Sequence, residues 1–523
     1  MGRKLLLGVA ILSTILWSNA WGEQGERRRF TYLDFSGGLN NRKSPVAIED
    51  NEASDLQNVT PTEAGKLKKR LGGVKYNSTS IPGNEEITGL NYYRQTDGDD
   101  WLVATTSNSN IFTSTNVNGE FTRITGTASW TGSRDVLADF TTAQDVLIIE
   151  DGATATAPWK WEPEGSIGRV VALGGSPPNS TMVEWHKNHL FLATTASSDV
   201  TFSNLGALQL WDAGDAVTVE GGGGSGITAL WKQLDSLYVG KIGGIFRISG
   251  DNRNDFSVEQ TVEGIGPVNN AATLVIDNVA FFLTQDARIY AYDGEVGLQR
   301  IGFNIEGTLE ELSHDRFDEA SATERDRDYW IFLTSSGGAR NNRALEFDTR
   351  LKSWWLHTGS NVMSVNAATE GYDANGLKQF YTGSYNGIVY RHQGNNDDGQ
   401  RIQAFWKSKA FYYPDISHEK VLRTVNVFAE PDGNWSITVE ALTDFEGTGQ
   451  QRTVSLSLGT SLWNTAVWGT DAWGGTAGLV ATKPPLGFDE AFDFLQMQFE
   501  NNNPDEPFTV LGYTVDVDET GRP

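Results

Sequence analysis

A short pattern that recurs seven times along the chain constrains the fold more than any other feature of the sequence. Each copy is an apolar strand, a small polar turn and a second strand ending on an aromatic residue, and the clearest copy runs from Leu237 to Phe246. The copies begin at positions 102, 147, 190, 237, 281, 330 and 380, a spacing of 43 to 50 residues. That period is typical of the four-stranded blade of a β-propeller.

A single blade cannot bury both of its faces, and stacking blades around an axis solves that problem. The 57 glycines and 17 tryptophans of the 523-residue chain suit many tight turns between short strands. We therefore predict an all-β fold with a propeller of about seven blades over residues 81–400. After Gly399 the pattern changes to strands with alternating apolar positions, which predicts a C-terminal β-sandwich over residues 401–523.

The start of the chain differs from both predicted domains. Residues 1–22 resemble a secretion signal, because Arg3 and Lys4 precede an apolar run that is short for a membrane span. Residues 23–80 are predicted to form an extended arm, with one short helix between Asp50 and Asn58. Whether the signal-like segment is cleaved, or serves as an arm or export device, stays open at this point.

Charge is distributed unevenly along the chain. The net charge is −26, yet residues 27–75 carry ten lysines or arginines against six acidic residues. This basic segment is either a solvated arm or an arm that docks on an acidic neighbour in an assembly. The candidate docking residues are Lys66, Lys68, Lys69 and Arg70. The acidic remainder disfavours general nucleic-acid binding.

The motifs of common catalytic and metal sites are missing from the sequence. The chain has no cysteine, and none of its six histidines belongs to an H-E-x-x-H zinc motif. The glycine-rich run at residues 220–226 lacks the Lys-Ser or Lys-Thr of a phosphate-binding loop. Acidic clusters such as residues 97–100 do not match an EF-hand. We predict no catalytic residue, no cofactor and no metal site.

Three tryptophans near the C-terminus are the remaining candidate binding residues, namely Trp463, Trp468 and Trp473. Exposed aromatic rings can stack on sugars, which predicts a carbohydrate-binding surface. The alternative is that they pack in the sandwich core or at a contact between subunits.

Several short segments, in their order along the chain, resemble structural proteins of tailed bacteriophages. The N-terminal ones are residues 34–40, Ser44-Pro45 with Ile48, residues 51–58, and residues 65–70 with Gly72. Residues 264–267 and 279–290 follow, and then residues 344–355, which read Ala344-Leu-Glu-Phe-Asp-Thr-Arg-Leu-Lys-Ser-Trp-Trp355. The run from Trp463 to Gly474 is also similar to C-terminal segments of such proteins. The signal-like start departs from this family.

The family resemblance implies a β-propeller of the tail-hub or nozzle type, also known for stabilising packaged DNA. Such a protein forms a ring of its own copies next to the portal, adaptor and other tail proteins. It extends the channel for double-stranded DNA, retains the genome and then releases it. An acidic wall would agree with this role, since like charges keep DNA from adhering to a channel through which it must slide.

Two other interpretations remain. A secreted propeller that binds glycans or surface polymers would explain the signal-like start and the tryptophans, but not the ordered phage-like segments. A propeller hydrolase would place its catalytic groups around the central tunnel, and the sequence does not show that geometry. Localisation to the virion follows from the first interpretation, and secretion from the second.

Overall fold

The computed structural model describes most of the chain, in thirteen segments. The described residues are 27–62, 65–115, 119–126, 136–153, 156–163, 168–224, 226–295, 297–359, 361–373, 375–413, 415–457, 480–482 and 484–519. The fold is all-β, as predicted. One five-residue α-helix, α1 (Glu306–Glu310), occurs in the described part of the chain.

Six short strands precede the repeats. They are β1 (Arg27–Tyr32), β2 (Gly38–Leu39), β3 (Glu52–Gln57), β4 (Val59–Pro61), β5 (Leu67–Lys69) and β6 (Val74–Lys75).

The strands of the repeats follow in groups of four, with a final group of three. The first two groups are β7 (Ile87–Arg94), β8 (Asp100–Thr106), β9 (Asn110–Thr115) and β10 (Thr122–Arg123), then β11 (Asp139–Ala143), β12 (Val146–Glu150), β13 (Trp159–Trp161) and β14 (Val171–Ala172). The next two are β15 (Met182–His186), β16 (His189–Ala193), β17 (Asp199–Phe202) and β18 (Ala216–Thr218), then β19 (Ala229–Gln233), β20 (Ser236–Lys241), β21 (Gly244–Ser249) and β22 (Ser257–Glu263). The last three are β23 (Leu274–Ile276), β24 (Val279–Leu283), β25 (Ile289–Tyr292) and β26 (Leu298–Arg300), then β27 (Ser321–Arg325), β28 (Asp328–Leu333), β29 (Arg343–Asp348) and β30 (Ser353–Thr358), then β31 (Val365–Tyr372), β32 (Lys378–Ser384) and β33 (Val389–Arg391).

The C-terminal region contributes eight more strands among the described residues. They are β34 (Ala404–Ser408), β35 (Lys420–Ala429), β36 (Ser436–Thr443), β37 (Gln450–Ser455), β38 (Val480–Ala481), β39 (Leu486–Phe492), β40 (Leu495–Asn501) and β41 (Thr509–Glu519).

The repeats form seven four-stranded antiparallel sheets in the described part of the chain, which we number as blades 1 to 7. Six blades consist of four consecutive strands, and blade 7 is completed by β6 from the N-terminal side, whose Lys75 pairs with Tyr390. Each predicted repeat begins in the second strand of a blade, from β8 to β32. These second strands are largely buried, and this is why their apolar runs were visible in the sequence. The predicted propeller is confirmed.

Each pair of neighbouring blades shares its own hydrophobic cluster, and these clusters hold the ring together. Side chains of β20 illustrate the geometry: Leu237 and Val239 pack toward blade 3, whereas Tyr238 packs toward blade 5. This follows from the period of two in a strand, which sends successive side chains to opposite faces of the blade. The cluster between blades 5 and 6 is continuous with the core of the C-terminal region.

The first two strands of blades 2 to 6 are joined by two-residue turns. The first residue of each turn has a positive φ; these residues are Gln144, Lys187, Leu234, Asp277 and Asp326. Such turns match the right-handed twist of the flanking strands and favour Asn, Asp or Gly. Because each of the five turns joins the first strand of a blade to the second, all five lie on the same face of the propeller, which we call the hairpin face.

The C-terminal strands form a sandwich of two sheets together with the N-terminal strands. One sheet has the order β38-β35-β41-β5-β4, with β1 on β41 and β39 on β35, and the other has the order β2-β3-β34-β40-β36-β37. The predicted extended arm is therefore wrong, because β1 to β5 lie in these two sheets. Its backbone groups are paired across a sequence separation of nearly the whole chain, as between Arg27 and Asp518.

The predicted helix between Asp50 and Asn58 is also wrong. Residues 52–57 form β3, which pairs in parallel with β2 and antiparallel with β34. Leu56 is buried in the sandwich core. Backbone pairing and core packing outweigh the weak helical preference of the acidic residues at this position. None of the described helices is long and apolar enough to cross a membrane.

Candidate functional site

A cavity of about 400 Å³ lies at the centre of the propeller. It is lined by the first strand of every blade, or by the residues just before it. The lining mixes apolar residues with small polar side chains, including Thr88, Asn91, Thr273 and Thr369. Because a first strand has only one neighbour within its own blade, its inner edge faces this cavity with unpaired backbone groups.

Side chains from neighbouring blades satisfy some of these inner backbone groups. The Val183 amide of blade 3 donates to Asp139 Oδ2 of blade 2 at 2.8 Å. The Leu230 amide of blade 4 donates to Asn270 Oδ1, just before blade 5, at 2.9 Å. The polar lining therefore links the blades, in addition to shaping the cavity.

Asp139, Glu184 and Lys232 are the charged residues of the cavity. Burial raises the pKa of Asp139 to about 7, so its carboxyl is partly protonated near neutral pH. Burial also raises the pKa of Glu184, against the opposing effect of Lys232 Nζ at 3.1 Å. Such a site can hold a proton and bind a small polar or cationic molecule.

The described residues contain no cluster of three or more His, Asp or Glu side chains suited to a metal ion. The cavity itself contributes two partly buried carboxyls, those of Asp139 and Glu184. Sequence analysis did not single out Asp139 or Glu184. The signal that could have found Glu184 is a lone acidic residue within the apolar strand β15.

The four predicted basic docking residues lie on β5 or directly beside it, with Lys66 just before the strand and Arg70 just after it. Lys66 pairs with Glu430 at 2.6 Å, and Lys68 is half-buried. Lys69 is buried, and its Nζ donates to Asn501 Oδ1 at 3.0 Å. Burial lowers the pKa of Lys69 to about 8.

Arg70 forms a buried, two-pronged ion pair with Asp397, with Nη1 to Oδ1 at 2.9 Å and Nη2 to Oδ2 at 2.7 Å. Lys69 and Arg70 thus act inside the chain and are not available to a neighbouring subunit. Only Lys66 and Lys68 remain candidates for docking. The predicted tryptophan sites, Trp463, Trp468 and Trp473, lie outside the described residues.

Comparisons with known proteins identify no family for the chain. No protein-family model and no curated protein matches it. Among solved structures, the chain is similar to BBS1N from a crystal structure of BBS1N in complex with ARL6DN, with 12% identity over 62% of this chain and 97% of that chain and a TM-score of 0.40. A similarity of this size carries no functional argument, and the assignment of the fold rests on the seven sheets themselves.

Proposed function

We propose that the chain is a non-enzymatic structural subunit of a tailed-bacteriophage virion, in the tail hub or nozzle or in the head–tail connector. Copies would form a ring with the portal or adaptor and other tail proteins. Double-stranded DNA would pass through the ring without sequence-specific binding, and the ring would retain the genome until its release.

The observation that carries this proposal is that the phage-like segments among the described residues meet in one place. Gly38, with φ +67°, fits against Trp354: a Cβ at Gly38 would lie 2.6 Å from the Trp354 carbonyl oxygen. Phe281 packs against Phe347, with ring centroids 6.1 Å apart. Residues 34–40, 279–290 and 344–355 all contribute to the core between blades 5 and 6 and the sandwich.

Residues that are distant in sequence therefore form one structural module, the junction of propeller and sandwich. This arrangement favours a resemblance of a whole folded unit to the phage proteins over a set of chance matches between short segments. The net charge of −26 agrees with a wall along which DNA slides. The central cavity gives weaker support to an alternative function as a small-molecule site. The carboxyls of Asp139 and Glu184 already accept hydrogen bonds from backbone amides, so they are less available to a ligand.

Peptide mass spectrometry on density-purified phage particles and on the secreted fraction of the same culture tests the proposal. We expect abundant peptides in the particles, at a few copies per portal ring. Finding the chain only in the secreted fraction, starting after Ala20, would overturn the proposal and favour the secreted glycan-binding propeller.

A second test addresses the remaining basic docking residues. The double substitution Lys66→Gln and Lys68→Gln removes two charges without touching the buried Lys69 and Arg70. We expect fewer complete particles and premature genome loss, with unchanged thermal stability of the isolated chain. Normal particle yield and genome retention would show that these lysines take no part in assembly.

A further inference from the structure

Three leucines stand out on the hairpin face of blades 3 and 4. Leu205 is 60% exposed, Leu210 is 56% exposed and Leu234 is 55% exposed. Leu205 and Leu210 lie in the connection between β17 and β18, and Leu234 opens the turn between β19 and β20. We call these three residues the leucine patch. Single exposed leucines are ordinary on protein surfaces, whereas a group of them indicates a contact site.

Leucine is an unfavourable residue at position 234, as both its backbone conformation and the comparison with other blades indicate. Its φ is +52°, a left-handed conformation that disfavours most side chains other than Asn, Asp and Gly. The equivalent residues of the other four turns are all polar, namely Gln144, Lys187, Asp277 and Asp326. A strained and exposed leucine gains nothing for the isolated chain, and such strain is characteristic of functional positions.

The patch is held in place by ion pairs between the two blades. Lys187 pairs with Asp235 at 2.6 Å and with Asp251 at 2.7 Å. The amide of Gly206, next to Leu205, donates to the Asn188 carbonyl at 2.7 Å. The loops that carry the leucines therefore have a defined conformation, and this surface would lose little conformational entropy when a partner binds.

The charge around the patch indicates what kind of partner fits. Arg253 pairs with Asp212 and Asp215, so the two ion-pair groups contain four aspartates and two cations. Asp235 and Asp251 keep 87% and 73% of their side-chain surface exposed. A second copy would bring the same negative rim against this one, which is unfavourable in a symmetric contact.

We propose that the leucine patch docks a different protein, whose contact surface has apolar side chains surrounded by lysine or arginine. Among the residues that the structure describes, the sandwich strands pack against blade 6 and not against blades 3 and 4. This inference goes beyond the virion proposal, since a secreted propeller would need the same kind of partner to cover these leucines.

Binding of two synthetic peptides to the full chain tests the inference. Both peptides have a Leu-Trp-Leu centre; one is flanked by lysines and the other by glutamates, and binding is followed by fluorescence anisotropy. We expect the lysine peptide to bind more tightly than the glutamate peptide. The triple substitution L205S, L210S and L234N should weaken its binding by about tenfold or more.

Leu377→Ser on blade 7 is the matched control, because Leu377 is also 60% exposed but lies away from the patch. It should leave binding unchanged. The inference would be overturned if the two peptides bound the wild type equally well, or if the lysine peptide bound the triple variant as tightly as the wild type. It would also be overturned if Leu377→Ser weakened binding as much as the triple substitution. Light scattering should show the same oligomeric state for the wild type and the triple variant; loss of an oligomer in the variant would identify the patch as a self-contact. These binding tests use the isolated chain, whereas the virion proposal is tested on phage particles. Failure of one proposal can therefore be distinguished from failure of the other.

Discussion

Arg70 shows how a residue that looks like a surface charge can be a structural one. Its Nε donates to Asn58 Oδ1 at 2.8 Å, and the same oxygen accepts from the Thr358 amide at 3.0 Å. The guanidinium also pairs with Asp397, as described above. The group joins the end of the sandwich strands, blade 6 and the segment after blade 7. Removing one member of such a buried pair leaves the other charge without compensation.

We predict that Arg70→Met lowers the free energy of unfolding by about 3–5 kcal/mol, because Asp397 stays buried and unpaired. Lys66→Met is the matched control, since the Lys66–Glu430 pair is about one third exposed and should cost at most about 1 kcal/mol. Urea denaturation of both variants measures the difference. Equal losses would contradict a structural role specific to Arg70.

Asp328 provides a prediction about pH. It is 6% exposed, and burial, followed by the nearby Glu346 and Asp348, raises its pKa to about 8. The folded chain therefore holds a proton that the unfolded chain has already lost at neutral pH. The stability that depends on this proton is fully present below the ordinary pKa of 3.8, falls as the pH rises above that value, and is fully lost above about 8.

Comparison of the wild type with Asp328→Asn isolates this effect, because all other titrating groups, including Lys69, are common to both chains. Between pH 7 and 9 the unfolding free energy of the wild type should fall by about 1.4 kcal/mol relative to the variant. Urea titrations at the two pH values give the difference. A constant difference would show that Asp328 has an ordinary pKa.

At the level of elements, the five two-residue turns allow a direct exchange between blades. Leu234→Asn replaces a disfavoured residue by one that accepts a positive φ. We predict a gain in unfolding free energy of about 1 kcal/mol, although the same change should weaken binding at the leucine patch. Chemical denaturation followed by tryptophan fluorescence measures it.

Asp277→Leu is the reverse exchange at the equivalent turn position of blade 5, where φ is +48°. It should lower the unfolding free energy by a similar amount. If Leu234→Asn were instead destabilising, Leu234 would have a packing role within the chain, and the argument from strain would fail.

At the level of the whole molecule, the N-terminal segment completes both the sandwich and the last blade of the propeller. It supplies five strands to the sandwich and the strand β6 to blade 7. The Tyr76 amide also donates to the Val389 carbonyl at 2.8 Å, directly after β6. A propeller closed by strands from both parts of the chain resists opening of the ring at the last blade.

We therefore predict that a chain beginning at residue 77 melts at least about 10 °C below the full chain, or loses its cooperative transition. A chain beginning at Arg27 is the control, because it retains all the described strands, and it should melt with the full chain. Circular dichroism and calorimetry measure both. An unchanged melting temperature for the shorter chain would show that β1 to β6 are dispensable.

The sequence identified the blades but misplaced the segment before them. The second strand of a blade is apolar because both of its faces are buried, and an apolar run is visible in the sequence. The turns next to these strands favour particular residues because of their backbone conformation, so they also leave a local pattern. The predicted arm and helix at residues 23–80 failed because charged strands such as β1 have no such pattern. Asp139 and Glu184 were missed for a related reason, since their strands meet only around the propeller axis.

Taken by itself, the sequence determined an all-β chain, the number of blades and the position of the C-terminal sandwich. All of these depend on residues a few positions apart, whose periodicity follows from the geometry of a strand. Only the tertiary structure decided that Arg27 pairs with Asp518, that Arg70 is buried against Asp397, and that three leucines share one face. Those contacts join residues that are distant along the chain, and no local pattern of side chains specifies such a partner.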